Sequence, residues 1–146
     1  MVIGIIGGAV MAHKTVRDIM AMNPIALSCN EYLDLAKDIM TLGRIRHFPV
    51  VDGGKLVGVV SQRDLYRASL GSVMGYGEKT QNEFLRTIVV KEIMSHPSVT
   101  IPPDAPIKDA AHLMIDRKIG CLPVMEAGKL VGLITETDLL KELLEK

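Results

Sequence analysis

The stretch GGKLVGVVSQRDL at 53–65 returns as AGKLVGLITETDL at 127–139. The offset is 74 residues, and it holds far beyond that phrase. It pairs Val16 with Val90, Ile19 with Ile93, Met20 with Met94, Ala36 with Ala110, Met40 with Met114, Ile45 with Ile119, Pro49 with Pro123 and Asp64 with Asp138. Residues 16–70 align with 90–144 without a gap, and 16 of those 55 positions are identical. Many others exchange like for like, as Arg17/Lys91, Asp18/Glu92 and Ser61/Thr135 do. Such a duplication restricts the chain to two copies of one supersecondary unit. A unit of ~55 residues buries too little surface to be stable alone. The expectation is therefore an α/β (α+β) fold in which the copies pack sheet-to-sheet about a pseudo-twofold axis and share a core.

Each copy reads as helical turn, strand, helix, strand, strand, helix. In the first, Val16, Ile19 and Met20 share one face of a turn that Thr15 can cap. "PIALS" is a short extended piece, as is "SVTI" in the second copy. Asn30 then caps "EYLDLAKDIMTLG", with Leu33, Ala36 and Met40 as its apolar stripe and Gly43 just past its end. In the second copy Asp104 caps, Pro106 sits in the first turn, and Ile107, Ala110 and Met114 make the stripe. Two apolar runs around Asp52-Gly53-Gly54, and again around Glu126-Ala127-Gly128, signal hairpins. The chain divides into an N-terminal segment (1–14), repeat 1 (15–70), a linker (71–88) and repeat 2 (89–146). The linker reads as a loop with a short helix near Asn82–Ile88.

Composition excludes several function classes. Apolar residues make up 48% of the chain and aromatics only 3%, so the core must be aliphatic and methionine-rich. Lys+Arg equals Asp+Glu at 17 each, and this neutral balance argues against a nucleic-acid partner. Cys29 and Cys121 form no CxxC, and the four histidines have no ligand spacing, so neither a disulfide framework nor a metal site is expected. "MVIGIIGGAVMAHK" is apolar for about ten residues, short of the ~20 that cross a bilayer. No positive residues precede that run, as they would in a signal peptide. Its Gly4-x-x-Gly7-Gly8 is not GxGxxG, and the strand and helix order a dinucleotide site needs does not follow. No membrane span and a cytoplasmic location are expected.

The repeated phrase ends in Ser61-Gln62-Arg63-Asp64 and Thr135-Glu136-Thr137-Asp138. Ser/Thr-x-x-acid at a strand-to-helix junction is first of all a capping box. Such a box prefers the longer Glu or Gln at its fourth position, whereas both copies have Asp. Each junction also follows a glycine, Gly58 or Gly132, two residues before the strand's end. A strand glycine lowers stability, and it makes sense where another group must approach the backbone. A helix N-terminus attracts phosphate, and a short carboxylate can accept both hydrogen bonds of a ribose diol. The corner can therefore cap and bind.

These residues resemble a known family. "IRHFPVVDGGKLVGVVSQRDL" and "IGCLPVMEAGKLVGLITETDL" are similar to the paired CBS (cystathionine β-synthase) domains, the Bateman module, over about Val16–Lys146. The hallmark is Gly-apolar-apolar-Ser/Thr-x-x-Asp, and two copies in register are specific. The resemblance implies that adenosine ligands (AMP, ADP, ATP or S-adenosylmethionine) bind in clefts between the repeats, with no required cofactor. It implies that Asp64 and Asp138 hold ribose and that Ser61 and Thr135 reach ribose or phosphate. The segments Ile45–Pro49, with Arg46 and His47, and Ile119–Pro123, with Cys121, would contact adenine through backbone. Ile25 and Thr100 would contribute from the first strands. Arg44, Arg46, His47 and Arg63 stand where the second copy has Lys118, Gly120, Cys121 and Thr137. Phosphate should be better neutralised where the arginines gather, unless Arg44 and Arg46 are only solvated helix-end cations.

The expected function is a regulatory adenosine-nucleotide sensor, a homodimer signalling to an effector protein. The alternative is a structural or interaction pair that has lost its ligand. No acid/base or nucleophile constellation supports an enzyme.

Overall fold

The computed structural model describes residues 14–73, 77–96 and 99–145. The expectations for the opening segment fall on residues 1–13, outside that range. In chain order the elements are α1 (Val16–Ile19), β1 (Ala21–Met22), β2 (Leu27–Ser28), α2 (Leu33–Gly43), β3 (His47–Asp52), β4 (Lys55–Ser61), α3 (Gln62–Val73) and α4 (Glu78–Leu85). A 3₁₀ turn at Val90–Glu92 follows, then α5 (Ile107–Arg117), β5 (Cys121–Glu126), β6 (Lys129–Thr135) and α6 (Glu136–Leu144).

Both expected hairpins form with two-residue turns. Asp52 pairs with Lys55 and Glu126 with Lys129. The turn residues have positive φ at both positions: 57° and 83° at Gly53 and Gly54, 51° and 77° at Ala127 and Gly128. That is the turn whose twist matches paired strands, and it favours glycine. Each hairpin also breaks register at the same place, Val50/Val51 and Val124/Met125.

The sheets run β2-β3-β4 and β1-β6-β5. β2 lies parallel to β3, and an isolated Ile101–Val124 parallel bridge is its counterpart in the other sheet. β1 lies antiparallel to β6, and the Val59–Ser95 bridge is its counterpart. The chain separates into two compact units, Ile25–Ser98 and Met1–Pro24 with Val99–Lys146. These are offset from the sequence repeats, because each unit takes its opening helical turn from the other repeat.

Hydrogen bonds explain the offset. Leu33 N–H donates to the Ile88 carbonyl (2.9 Å) and Val90 N–H to the Glu31 carbonyl (2.8 Å). The second unit repeats the pattern: Ile107 N–H donates to Lys14 O (3.2 Å) and Val16 N–H to Ala105 O (2.9 Å). These bonds satisfy orphan amides at the starts of α2 and α5, which would otherwise need side-chain caps. This is why Asn30 and Asp104 do not cap, contrary to the sequence pattern. The helices begin later, behind Tyr32 and Pro106. Asn30 sits instead in a turn, its N–H on Ser28 Oγ (3.3 Å), and the Asp104 carboxylate faces Arg17 (3.5 Å). Thr15 does open α1, with its N–H on Asp18 Oδ2 (2.8 Å).

At the other end of α2 the left-handed residue is Arg44 (φ 53°), not Gly43, which is still helical; Lys118 (φ 56°) matches it after α5. The linker also differs from expectation. α3 runs on to Val73, and the next helix spans Glu78–Leu85 rather than Asn82–Ile88. Residues 87–89 cannot continue that helix, because Ile88 and Val89 are committed to pairing with the start of α2.

Each unit has its own aliphatic core. One gathers Leu33, Ala36, Met40, Phe48, Val50, Val60 and Leu65 with the incoming Leu85 and Val90. The other gathers Ala110, Met114, Leu122, Val124 and Ile134 with the incoming Val16 and Met20. The helix stripes expected from sequence are the buried ones in both cases. No helix among the described residues is long and apolar enough to cross a membrane.

Candidate ligand-binding corners

The strand-to-helix corner of the 25–98 unit is closed by a reciprocal box. Ser61 N–H and Oγ both donate to Asp64 Oδ2 (2.8 and 2.9 Å), and Asp64 N–H donates back to Ser61 Oγ (3.1 Å). The other unit matches it: Thr135 N–H and Oγ1 reach Asp138 Oδ2 (2.9 and 3.1 Å), and Asp138 N–H donates to Thr135 Oγ1 (3.4 Å). Aspartate is therefore long enough to complete the box, against the expectation drawn from its length. The box uses Oδ2 alone, and all four side chains are half-buried. Another first-turn amide is also engaged: Gln62 N–H donates to Arg46 O (2.8 Å), and Glu136 N–H to Gly120 O (3.1 Å). Only part of each helix N-terminus is thus left for an anion.

Strand pairing brings the rest of each set to its corner. His47 lies opposite Ser61, and Cys121 opposite Thr135. Arg44 and Arg46 are exposed on the connection into β3, as Lys118 is on the connection into β5. Ile45 and Ile119 pack half-buried against their cores. Pro49 and Pro123 are fully buried, so their rings pack the core and only their backbone could meet a ligand. Cys121 is likewise buried, at 5% exposure. Arg63 and Thr137 are exposed on the first turns of α3 and α6. Ile25 is 51% exposed ahead of β2, and Thr100 is exposed beside the Ile101–Val124 bridge.

The two strand glycines do mark a close approach, but the group that approaches is the protein's own chain, a methionine side chain and a backbone carbonyl, and not the phosphate-and-diol ligand expected there from the sequence. A Cβ on Gly58 would lie 2.6 Å from Met94 Sδ and 2.8 Å from the Ser95 carbonyl oxygen. On Gly132 it would lie 2.4 Å from Met20 Sδ and 3.0 Å from the Ala21 oxygen. The incoming segment bonds over the glycine: Ser95 N–H to Val59 O (2.8 Å) and Val59 N–H to Ser95 O (3.1 Å). The signal for this pairing was present in the sequence as Met20/Met94 at the same offset as the glycines.

A cavity of about 120 Å³ lies among α2, α3 and α4, lined by Lys37, Met40, Thr41, Gln62, Tyr66 and neighbours. None of the expected ligand residues lines it, and it is smaller than the roughly 300 Å³ at which small-molecule pockets begin. Among the described residues no three His, Cys, Asp or Glu side chains gather to hold a metal.

Comparison with known proteins is consistent along the chain. The CBS domain family model matches residues 16–71 and 90–145. A CBS domain-containing protein of Dictyostelium discoideum is 33% identical over 132 residues, 89% of this chain and 91% of that protein. Other curated relatives are longer, and the chain spans between 13% and 47% of four of them. The CBS domain pair of MJ0100, solved with 5′-methylthioadenosine and S-adenosyl-L-methionine, is 27% identical, with a TM-score of 0.75 over 89% of this chain and 95% of that one. CBSX2, solved with AMP, is 29% identical, with a TM-score of 0.74 over 89% and 96%.

Proposed function

Because the chain belongs to the CBS domain family, with two such domains in tandem, we propose that it is a regulatory module that binds an adenosine ligand at its strand-to-helix corners. The observation that carries this reading is the doubled corner. Ser61/Asp64 and Thr135/Asp138 have the same geometry, and each aspartate keeps Oδ1 outside the capping box. That oxygen is the acceptor a ribose diol would use, while Arg44, Arg46 and Arg63 stand exposed near the first corner to neutralise phosphate. Structurally similar pairs solved with AMP and with S-adenosylmethionine point to the same ligand class. The candidate ligands are AMP, ADP, ATP and S-adenosylmethionine. Occupancy would be passed on through a homodimer or to an effector protein, and the module itself is read as non-catalytic.

A second reading has a specific observation in its favour. The aspartates already have a structural role as helix caps, which a ligand-free interaction module would also need. Melting with each of the four ligands separates the two. Ligand at 100 times its dissociation constant adds about 2.7 kcal/mol. At least one ligand should raise Tm, and the rise should shrink in Asp64→Ala or Asp138→Ala. If none of the four moves the midpoint, the interaction reading replaces the sensor.

A further inference from the structure

The two corners share a backbone frame but not a charge. In each, a first-turn amide ties the helix to the connection before the paired strand. Gln62 N–H donates to Arg46 O (2.8 Å), and Glu136 N–H to Gly120 O (3.1 Å). Residues 44–47 therefore share one neighbourhood with 61–64, as 118–121 do with 135–138. The corner of the 25–98 unit holds Arg44, Arg46 and Arg63 with a single acid, Asp64. The other corner holds Lys118 with two acids, Glu136 and Asp138. Gly120 stands in the place of Arg46, Thr137 in that of Arg63 and Glu136 in that of Gln62.

These charges are uncommitted. Arg44, Arg46, Arg63, Lys118 and Glu136 are all exposed, and no ion pair among the described residues engages any of them. Each aspartate commits Oδ2 to its box and keeps Oδ1 for a diol. A ligand held by that diol carries its 5′ group one carbon from the ribose ring. Whichever way the ligand turns, the group stays within a Debye length of the corner's charges, ~10 Å at 0.1 M salt. A phosphate monoester there carries about −1.5 to −2 charges at neutral pH. In the first corner it meets surplus cations. In the second it meets Glu136, whose carboxylate already sits at the positive end of the helix dipole.

We propose, resting on the adenosine-ligand reading above, that the corners divide their ligands by charge. The Ser61/Asp64 corner takes adenosine 5′-phosphates. The Thr135/Asp138 corner takes adenosine compounds whose 5′ group is neutral or cationic, and Glu136 is the residue that turns phosphate away. The corners differ by three unit charges. Across about 8 Å of water at 0.1 M salt, that difference amounts to about a tenfold preference of AMP for the first corner.

The test is calorimetric titration of the full chain with AMP, with adenosine as the 5′-neutral probe and with S-adenosylmethionine, whose sulfonium is a cation at the 5′ carbon. Asp64→Ala should abolish the tighter AMP site and leave the binding of the other two. Asp138→Ala should do the reverse. Arg63→Glu keeps both capping boxes and should weaken AMP about fivefold while leaving S-adenosylmethionine unchanged. Glu136→Gln with Thr137→Arg, read in the Asp64→Ala protein, should strengthen AMP about fivefold, and the gain should shrink at high salt. AMP lost equally in both aspartate variants, or only in Asp138→Ala, overturns the division and leaves the adenosine reading standing. So does AMP binding that ignores both charge changes, or a parent that binds AMP but neither of the other probes. If the parent gives no heat with any of the three, nor with ADP or ATP, the adenosine reading itself falls and the division falls with it.

Discussion

Replacing Gly58 or Gly132 by alanine tests how the units are closed. At Gly58 the new Cβ meets a backbone oxygen, Ser95 O, at 2.8 Å, besides Met94 Sδ at 2.6 Å. The carbonyl is fixed by its bond from Val59 N–H, so it cannot rotate away. At Gly132 the carbonyl is further off, 3.0 Å, and the closest atom is the end of the Met20 side chain at 2.4 Å. Overpacking costs about 1–3 kcal/mol, and the alanine returns about 0.4–1 kcal/mol by restricting the unfolded chain. Gly58→Ala belongs at the upper end, a net loss of about 2 kcal/mol, and Gly132→Ala nearer 1 kcal/mol. For a chain of this size that is a Tm drop of about 6–8 °C against about 3–4 °C. Urea unfolding measures both. Truncating Met20 to alanine removes the flexible part of the clash, so the Gly132→Ala/Met20→Ala cycle should show a favourable coupling. The Gly58→Ala/Met94→Ala cycle should show less, because the carbonyl remains. A Gly58→Ala protein as stable as the parent, or the reverse order of losses, would refute the close-approach explanation of these glycines.

Other outcomes follow from the same geometry. Asp64→Ala and Asp138→Ala should each cost about 1 kcal/mol, because the carboxylate's reach-back bonds are lost while the backbone N–H at that position still donates to Ser61 or Thr135; this is read from urea midpoints without ligand, so the ligand-dependent part of Tm is measured on top of that loss. Arg44→Gly and Lys118→Gly relieve left-handed backbone and should leave stability unchanged or raise it by up to ~1 kcal/mol. If Arg44→Gly also leaves every ligand-induced Tm shift intact, Arg44 is a solvated cation and not a phosphate contact. Asp18 titrates below the ordinary carboxylate range, chiefly because the Thr15 backbone N–H donates to it. Its stabilisation is present above the unfolded-state value and is lost as pH falls through the folded one. The gap between Asp18→Ala and the parent should therefore close in acid; a gap of constant size would refute the assignment.

Much of this protein can be read from 146 letters, because the same pattern is written twice. The hairpins follow from Asp52-Gly53-Gly54 and Glu126-Ala127-Gly128, where two adjacent positive φ values admit few sequences. The buried helix stripes follow from the spacing of Leu33, Ala36 and Met40 and of their partners. The corner residues follow from a hydroxyl and an acid three apart at a strand's end. All of these are local rules, satisfied within a few residues. What the sequence did not decide is which segment completes which sheet. Leu33 N–H could have been satisfied by an Asn30 side chain nearby, and locally that is the expected solution. It is satisfied instead by Ile88, 55 residues away, because burying Val90 and Leu85 in that core brings a strand-like backbone with it. Hydrogen bonds of that range are selected by packing, so only the tertiary structure determined the exchange and the groups that fill the space above the two glycines.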